Sequence, residues 1–201
     1  MRTVELLPDP VTEARVRRVW QELAAAGLPS LAGHRHPTNR PHLTLATADG
    51  PPRAAWRELP AVLAVLPLPL RLEGAIRFSG RTRVLAWRVV PDAELAALHR
   101  RVGELLHGHG TGSGGPPPAP GFWSPHITLG RTRSDRARWP DGLLPAELSE
   151  PWEGAFTAAR SYDTATRTVE PLGAPDSASP EPSPGPPGPP DDPHANRWGI
   201  P

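Results

Sequence analysis

Two short stretches of this 201-residue chain share one pattern. Pro41-His42-Leu43-Thr44-Leu45 and Pro125-His126-Ile127-Thr128-Leu129 both read Pro-His-(Leu/Ile)-Thr-Leu. An aliphatic residue, a Thr and a Leu, behind a Pro that fits only a strand's first residues, describe a short strand. Side chains alternate faces along a strand, so each His shares a face with the Thr two residues on. Two such strands facing each other offer two imidazoles and two hydroxyls to one site. Imidazole titrates near pH 6.5, so close to neutrality one His can be neutral while its partner is protonated. That pairing suits in-line displacement at phosphorus. One His takes a proton from the attacking oxygen, the other protonates the departing oxygen, and the hydroxyls hold the equatorial oxygens. No metal and no cofactor are required.

A bare His-x-Thr is a weak signal, and taken alone either copy fits a structural His better than a catalytic one. His36-Pro37-Thr38 fits the same short pattern but lacks the apolar frame of a strand. What lifts the two strand copies above this background is that the elements around them also repeat. Leu7-Pro8-Asp9 answers Val90-Pro91-Asp92, and Arg17-Arg18-Val19 answers Arg100-Arg101-Val102, both at an offset of 83 (92 − 9, 100 − 17). The His and Thr pairs are offset by 84 (126 − 42, 128 − 44). Internal repetition of this kind implies two similar halves, about 1–80 and 81–172, related by a pseudo-two-fold axis that sets His42 opposite His126.

Each half must supply a strand, a capped helix and a His strand. Arg2 to Leu7 reads as a strand, and Asp9 as the N-cap of a helix with Pro10 in its first turn. Val16, Val19, Trp20 and Leu23 form that helix's apolar stripe, which Gly27 ends. Residues 53–66 are helical in pattern but interrupted by Pro60. Leu70 to Ser79 and Arg83 to Val90 alternate as strands. Asp92 then caps a helix to about Leu106, with Leu95, Leu98, Val102 and Leu105 inward. Trp152 to Tyr162 and Thr166 to Leu172 are expected to close the fold as a hairpin. The fold class is α+β: two pseudo-symmetric lobes with antiparallel sheets facing a central cleft, helices outside. Residues 173–201 are dominated by Pro, Ser, Gly and Asp, and are expected to be a disordered tail, since they cannot bury enough surface to offset chain entropy.

Composition narrows the partners. The net charge is +1, which gives no general case for a polyanion-binding surface. All 22 basic residues are Arg, a pattern that codon usage explains as well as phosphate recognition does. There is no Cys, so disulfides and thiolate metal sites are excluded. No signal peptide and no apolar run of about 20 residues stand out. A soluble cytoplasmic protein, acting as a monomer without a membrane partner, is the expectation.

The motif pair, its separation and the duplicated halves resemble the 2H phosphoesterase superfamily, in particular its bacterial branch of 2′-5′ RNA ligases and RNA 2′,3′-cyclic phosphodiesterases. The resemblance covers about residues 1–172. It implies metal-independent opening of 2′,3′-cyclic phosphates, with reversible 2′-5′ joining of RNA ends as the alternative. It further implies an RNA 3′ end or a small cyclic-phosphate nucleotide as substrate. Carried onto this chain, His42 becomes the acid for the leaving oxygen and His126 the base for water. Thr44 and Thr128 become phosphate ligands, with Arg131 a further candidate. Strand parity puts Arg131 on the face opposite His126, so it reaches phosphate only if the strand ends or bulges after Leu129. Phe122 or Trp123 suits either base stacking or the core.

Two other readings compete. His34, His36, His107 and His109 form two His-x-His pairs that could gather a metal ion, but no acidic or Cys partner stands at a ligand-like spacing. A non-catalytic binder of RNA ends would keep the cleft, yet it has no need of two titratable groups.

Overall fold

A computed structural model describes residues 1–36, 38–50, 53–108, 123–134 and 138–173. The segment 174–201, Phe122 and His109 lie outside the described residues. The fold is α+β, and the described residues form seven strands and three α-helices in the order β1 (Arg2–Pro8), α1 (Pro10–Ala25), β2 (Leu43–Ala48), α2 (Arg53–Leu63), β3 (Leu68–Phe78), β4 (Arg83–Val89), α3 (Ala93–Gly108), β5 (His126–Thr132), β6 (Trp152–Asp163) and β7 (Thr168–Leu172). Short 3-10 turns at Asp141–Leu143 and Ala146–Ser149 fill the β5–β6 connection. Helix α2 continues through Pro60 and ends three residues later, at Leu63.

The strands are antiparallel throughout, in the order β1-β2-β5-β4-β3-β6-β7, with β6 also paired to β1. The long strand β6 makes this possible. It pairs with β3 along 152–156 and with β1 along 156–163, while β7 takes 159–163. Two groups result: β2, β1, β6 and β7 on one side, β5, β4 and β3 on the other. Each takes its third strand from the opposite half of the sequence. Between the groups, β2 and β5 meet at a single backbone pair, Leu43 with Ile127. Those are the residues that follow His42 and His126.

Both His strands carry the same irregularity. Along β1–β2, Val4 pairs with Ala46 and Glu5 with Thr44, leaving Leu45 unmatched. Along β4–β5, Leu85 pairs with Gly130 and Ala86 with Thr128, leaving Leu129 unmatched. An extra residue reverses the alternation beyond it. The carbonyls of the two unmatched residues are both used: Leu45 O accepts from His99 Nδ1, and Leu129 O from the Leu31 N–H.

The apolar stripes read from the sequence lie inward. Val16, Val19 and Leu23 of α1, and Leu95, Leu98 and Val102 of α3, are buried against Leu6, Leu43, Leu45, Trp87, Ile127 and Leu129. Helix α1 packs on β1, β5 and β6, while α3 lies over β2 and against α2. Helices therefore cover one side of the strands and leave the other to the cleft.

Asp9 caps α1 as its position implies, accepting from Val11 N and Thr12 N at 2.9 Å. Its second oxygen accepts from Thr12 Oγ1 at 2.7 Å and from Ala155 N of β6 at 2.8 Å. Burial pushes the Asp9 carboxyl up, but the hydrogen bonds from Ala155, Thr12 and Val11 outweigh it and hold the group below its ordinary range. That stabilisation is complete above the ordinary Asp value of about 3.9 and disappears as pH falls through the lower folded value. Asp9→Ala removes the cap and strands a β6 amide, so it is expected to cost about 2–4 kcal/mol. Urea denaturation at neutral pH checks this through its midpoint, and the difference from wild type should shrink on acidification.

Candidate active site

The two motif imidazoles are held in the same way. His42 Nδ1 lies 2.6 Å from the Arg40 carbonyl oxygen, and His126 Nδ1 lies 2.7 Å from that of Ser124. A carbonyl can only accept, so each Nδ1 carries hydrogen and each neutral ring keeps its lone pair on Nε2. A strand's first residues bring this about, because the ring folds back over the chain just before regular pairing begins. Arg40 is itself fixed to α1 through a 2.6 Å ion pair with Glu13, which steadies the carbonyl that orients His42.

His42 and His126 flank the single Leu43–Ile127 pair and stand on the face away from the helices. Continuing that antiparallel register by one residue sets His42 beside Thr128 and Thr44 beside His126. Both threonines are half-buried, and among the described residues neither hydroxyl has a hydrogen-bond partner. Burial lowers the His126 pKa, the Ser124 carbonyl works against this, and the nearby His42 charge lowers it further. The two rings are therefore electrostatically coupled.

Arg131 reaches the same face. The unmatched Leu129 reverses β5, so Gly130 turns into the core and Arg131, opposite Val84, turns to the cleft, which it lines together with His42. The bulge that strand parity demanded is present. Trp123 stacks on His99 with ring centres 3.9 Å apart and packs against the core, away from a base-binding role. His34 and His36 line the cleft, with the His36 ring bonded to Thr38 Oγ1 at 2.8 Å. His107 lies in the last turn of α3. Among the described residues no group of three or more His, Cys, Asp or Glu could hold a metal ion.

Several residues of the site escaped the sequence reading. Glu5 is 3 % exposed and stands with Oε1 3.7 Å from His42 Nε2. It accepts from Arg160 Nε of β6 at 2.8 Å and from Thr3 Oγ1 at 2.8 Å. Arg160, also buried, donates as well to the Thr38 carbonyl at 2.9 Å. The register gives Glu5 a counterpart: Glu5 is opposite Thr44, as Ala86 is opposite Thr128. The first group thus has a carboxylate where the second has a methyl. Phe78, on β3, completes the apolar side, its ring 4.6 Å from that of His126. The one sequence signal for Glu5 was a charge inside a strand otherwise rich in apolar residues.

A cleft of about 560 Å³ opens beside His42, walled by residues of the α1–β2 loop, β1, β5, β6 and the β6–β7 turn. Asn39 and Tyr162 contribute polar groups to it, and arginines from three of these elements converge on it. No helix among the described residues is long and apolar enough to cross a membrane.

Comparison with solved structures finds the same fold. TT0787 of Thermus thermophilus superposes with a TM-score of 0.58 at 19% identity, covering 85% of this chain and 94% of its own. E. coli LigT complexed with 3′-AMP gives 0.52 at 19%, covering 85% and 93%. Kluyveromyces marxianus Usb1 gives 0.51 at 13%, covering 85% and 96%. Among curated proteins nothing matches. One family model, that of the 2′-5′ RNA ligase superfamily, matches residues 8–162.

Proposed function

The chain belongs to the 2′-5′ RNA ligase superfamily, and from that footing we propose that it opens 2′,3′-cyclic phosphates of RNA ends or nucleotides by two-histidine acid–base catalysis. The observation that carries this reading is the matched anchoring of His42 and His126 across one backbone pair, each with Nε2 left for chemistry. Water attacks phosphorus and the bond to one ribose oxygen breaks. His126 Nε2 takes the proton from water while His42 Nε2–H gives one to the departing ribose oxygen. Thr44, Thr128 and Arg131 hold the non-bridging oxygens, whose charge persists through the displacement. After turnover His126 holds a proton and His42 lacks one, and exchange with solvent resets both. With a ribose 5′-hydroxyl in place of water, the same two transfers would join two ends: the hydroxyl oxygen bonds to phosphorus, its proton goes to His126, and the departing ribose oxygen takes one from His42.

The assignment of roles is supported by the unequal surroundings of the two rings. His42 has the Glu5 carboxylate 3.7 Å away as counter-ion, which suits a proton carrier. His126 stands opposite Arg88 of β4 with the Phe78 ring 4.6 Å away, and burial lowers its pKa, which suits a lone pair at neutral pH. The acid limb of the pH–rate curve should consequently fall below the ordinary imidazole value of about 6.5. Glu5→Gln keeps the size of the side chain and removes its charge, and is expected to lower kcat about tenfold, or about 1.4 kcal/mol in the barrier. Steady-state kinetics on the two proteins measure it, with melting curves to check that the variant folds.

Single-turnover assays on nucleoside 2′,3′-cyclic phosphates test the proposal itself. Wild type should release one phosphomonoester regioisomer, in the presence or absence of EDTA. Binding without turnover would sink the catalytic reading in favour of an end-binding protein.

A further inference from the structure

The cleft beside His42 is far more basic than the chain that forms it. Net charge over 201 residues is +1, yet Arg131, Arg133, Arg160 and Arg167 line this one space with His34 and His36. The single acid among its lining residues is Glu5, and that carboxylate is committed to Arg160 at 2.8 Å. Among the described residues Arg131, Arg133 and Arg167 have no ion-pair partner. Gathering guanidinium groups with so little compensation raises the cost of the empty cleft, and an anion relieves it.

Two of these arginines lie beyond the reacting pair, and their positions are built rather than incidental. Arg133 follows Arg131 by two residues, just past the end of β5. Arg167 sits in the β6–β7 turn at φ 59°, a left-handed backbone conformation that a non-glycine residue adopts at some cost. That turn is fixed by Asp163, whose Oδ1 accepts from Ala165 N at 2.8 Å and whose carbonyl accepts from Arg167 N at 2.8 Å. Two separate elements thereby direct a guanidinium into one cleft.

In-line displacement fixes which part of a substrate meets them. The departing oxygen leaves on the side of the acid, so with His42 as acid the ribose lies on the His42 side, inside this cleft. The next charge along a nucleotide from that ribose is the phosphate on its 5′ oxygen. We infer that Arg133 and Arg167 form a second phosphate subsite, so that the preferred substrate is a 2′,3′-cyclic phosphate carrying a further phosphate on the 5′ side. This rests on the role assigned to His42 under the proposed function. Guanidinium suits such a site because its fork matches two phosphate oxygens at once.

Three substrates test it: adenosine 2′,3′-cyclic phosphate, its 5′-phosphorylated form, and the dinucleotide adenylyl-adenosine ending in a 2′,3′-cyclic phosphate. Wild type should show kcat/KM at least about tenfold higher for a substrate with the second phosphate, the size of one charge-assisted hydrogen bond. The gain should appear in KM and shrink with added salt. A gain for the 5′-phosphorylated mononucleotide alone assigns the subsite to a terminal phosphate, and one for the dinucleotide alone to a phosphodiester in an RNA chain. In the double variant Arg133→Gln, Arg167→Gln the ratio between substrates should fall close to one. Equal kcat/KM for all three in wild type, or a preference that survives in the double variant, would overturn the inference. Should none be turned over, the catalytic reading fails separately, and calorimetry on the same proteins still reads the subsite. Adenosine 3′,5′-bisphosphate should then bind about tenfold tighter than 3′-AMP to wild type but not to the variant. Equal affinities in wild type would overturn it.

Discussion

Replacing His126 by alanine is expected to lower turnover of a 2′,3′-cyclic phosphate by about 10²–10⁴-fold, the range for loss of a positioned acid or base. His42→Ala should cost as much by the opposite route. In wild type the pH–rate curve should be bell-shaped. The His126 variant should lose the limb on the acid side, where protonation disables the base, and the His42 variant the limb on the alkaline side. Neither change should disturb folding. Each ring is half-buried, and its hydrogen bond is to a carbonyl two residues away. The double variant should be no slower than a single one by the product of the two losses, since residues that act as a unit are not additive. Rate measurements across pH on wild type, the two single variants and the double variant decide the matter. Equal rates in wild type and double variant would leave the pair without a role.

The second large effect is on stability. Gly130 follows the unmatched Leu129 and faces the core directly beneath the loop that leaves α1. A methyl group built there would fall on the carbonyl oxygen of Pro29, lie 2.9 Å from its carbonyl carbon and come within 3.3 Å of Trp139 Cζ2. Backbone lies on both sides of the contact, so neither partner can swing away as a flexible side chain would. Pro29 is moreover pinned, its carbonyl accepting from Trp139 Nε1 at 2.9 Å, and Leu31 N donates to Leu129 O at 3.0 Å. Gly130→Ala is therefore expected to cost about 3 kcal/mol or more. For a domain of this size that corresponds to a fall of roughly 6–12 °C in Tm by calorimetry. Gly103→Ala is the matched control. It lies in α3 with nothing near its missing Cβ, and helix propensity favours the change by up to about 1 kcal/mol. A Gly130 variant as stable as wild type would mean that the loop is not seated on β5. Because that loop continues through Leu31, His34, His36 and Asn39, dislodging it also removes one wall of the cleft.

Most of the fold could be read from local signals. Asp9 and Asp92 announce helix starts, since a short acidic side chain ahead of an apolar stripe satisfies otherwise orphaned amides. Alternation located β1, β2, β4 and β5 to within a residue or two. The 3-10 turns between β5 and β6 left no periodic trace, and Trp139, buried within that connection, gave no sign of its place. The site was legible where its chemistry is local, in the His-x-Thr strands. It was illegible where partners come from afar. Glu5 and Arg160 are 155 residues apart in the chain, and no spacing rule joins them. Arg131 is the intermediate case. Alternation alone set it on the wrong face and named the condition for reaching the right one, but whether Leu129 bulges is decided by how β5 registers against β4.

The exchange of third strands bears on how such a molecule comes to exist at all. Since β3 lies against β4, and β6 against β1, a chain consisting of either half alone would present bare strand edges and an unroofed core. Such a fragment has one satisfactory escape, which is to bind a second copy of itself by trading that strand. A single chain that carries both halves makes the trade intramolecular and relieves it of any dependence on concentration. It also lets the two halves differ, as they do where Glu5 is opposite Thr44 and Ala86 opposite Thr128, a charge in one half and a methyl in the other.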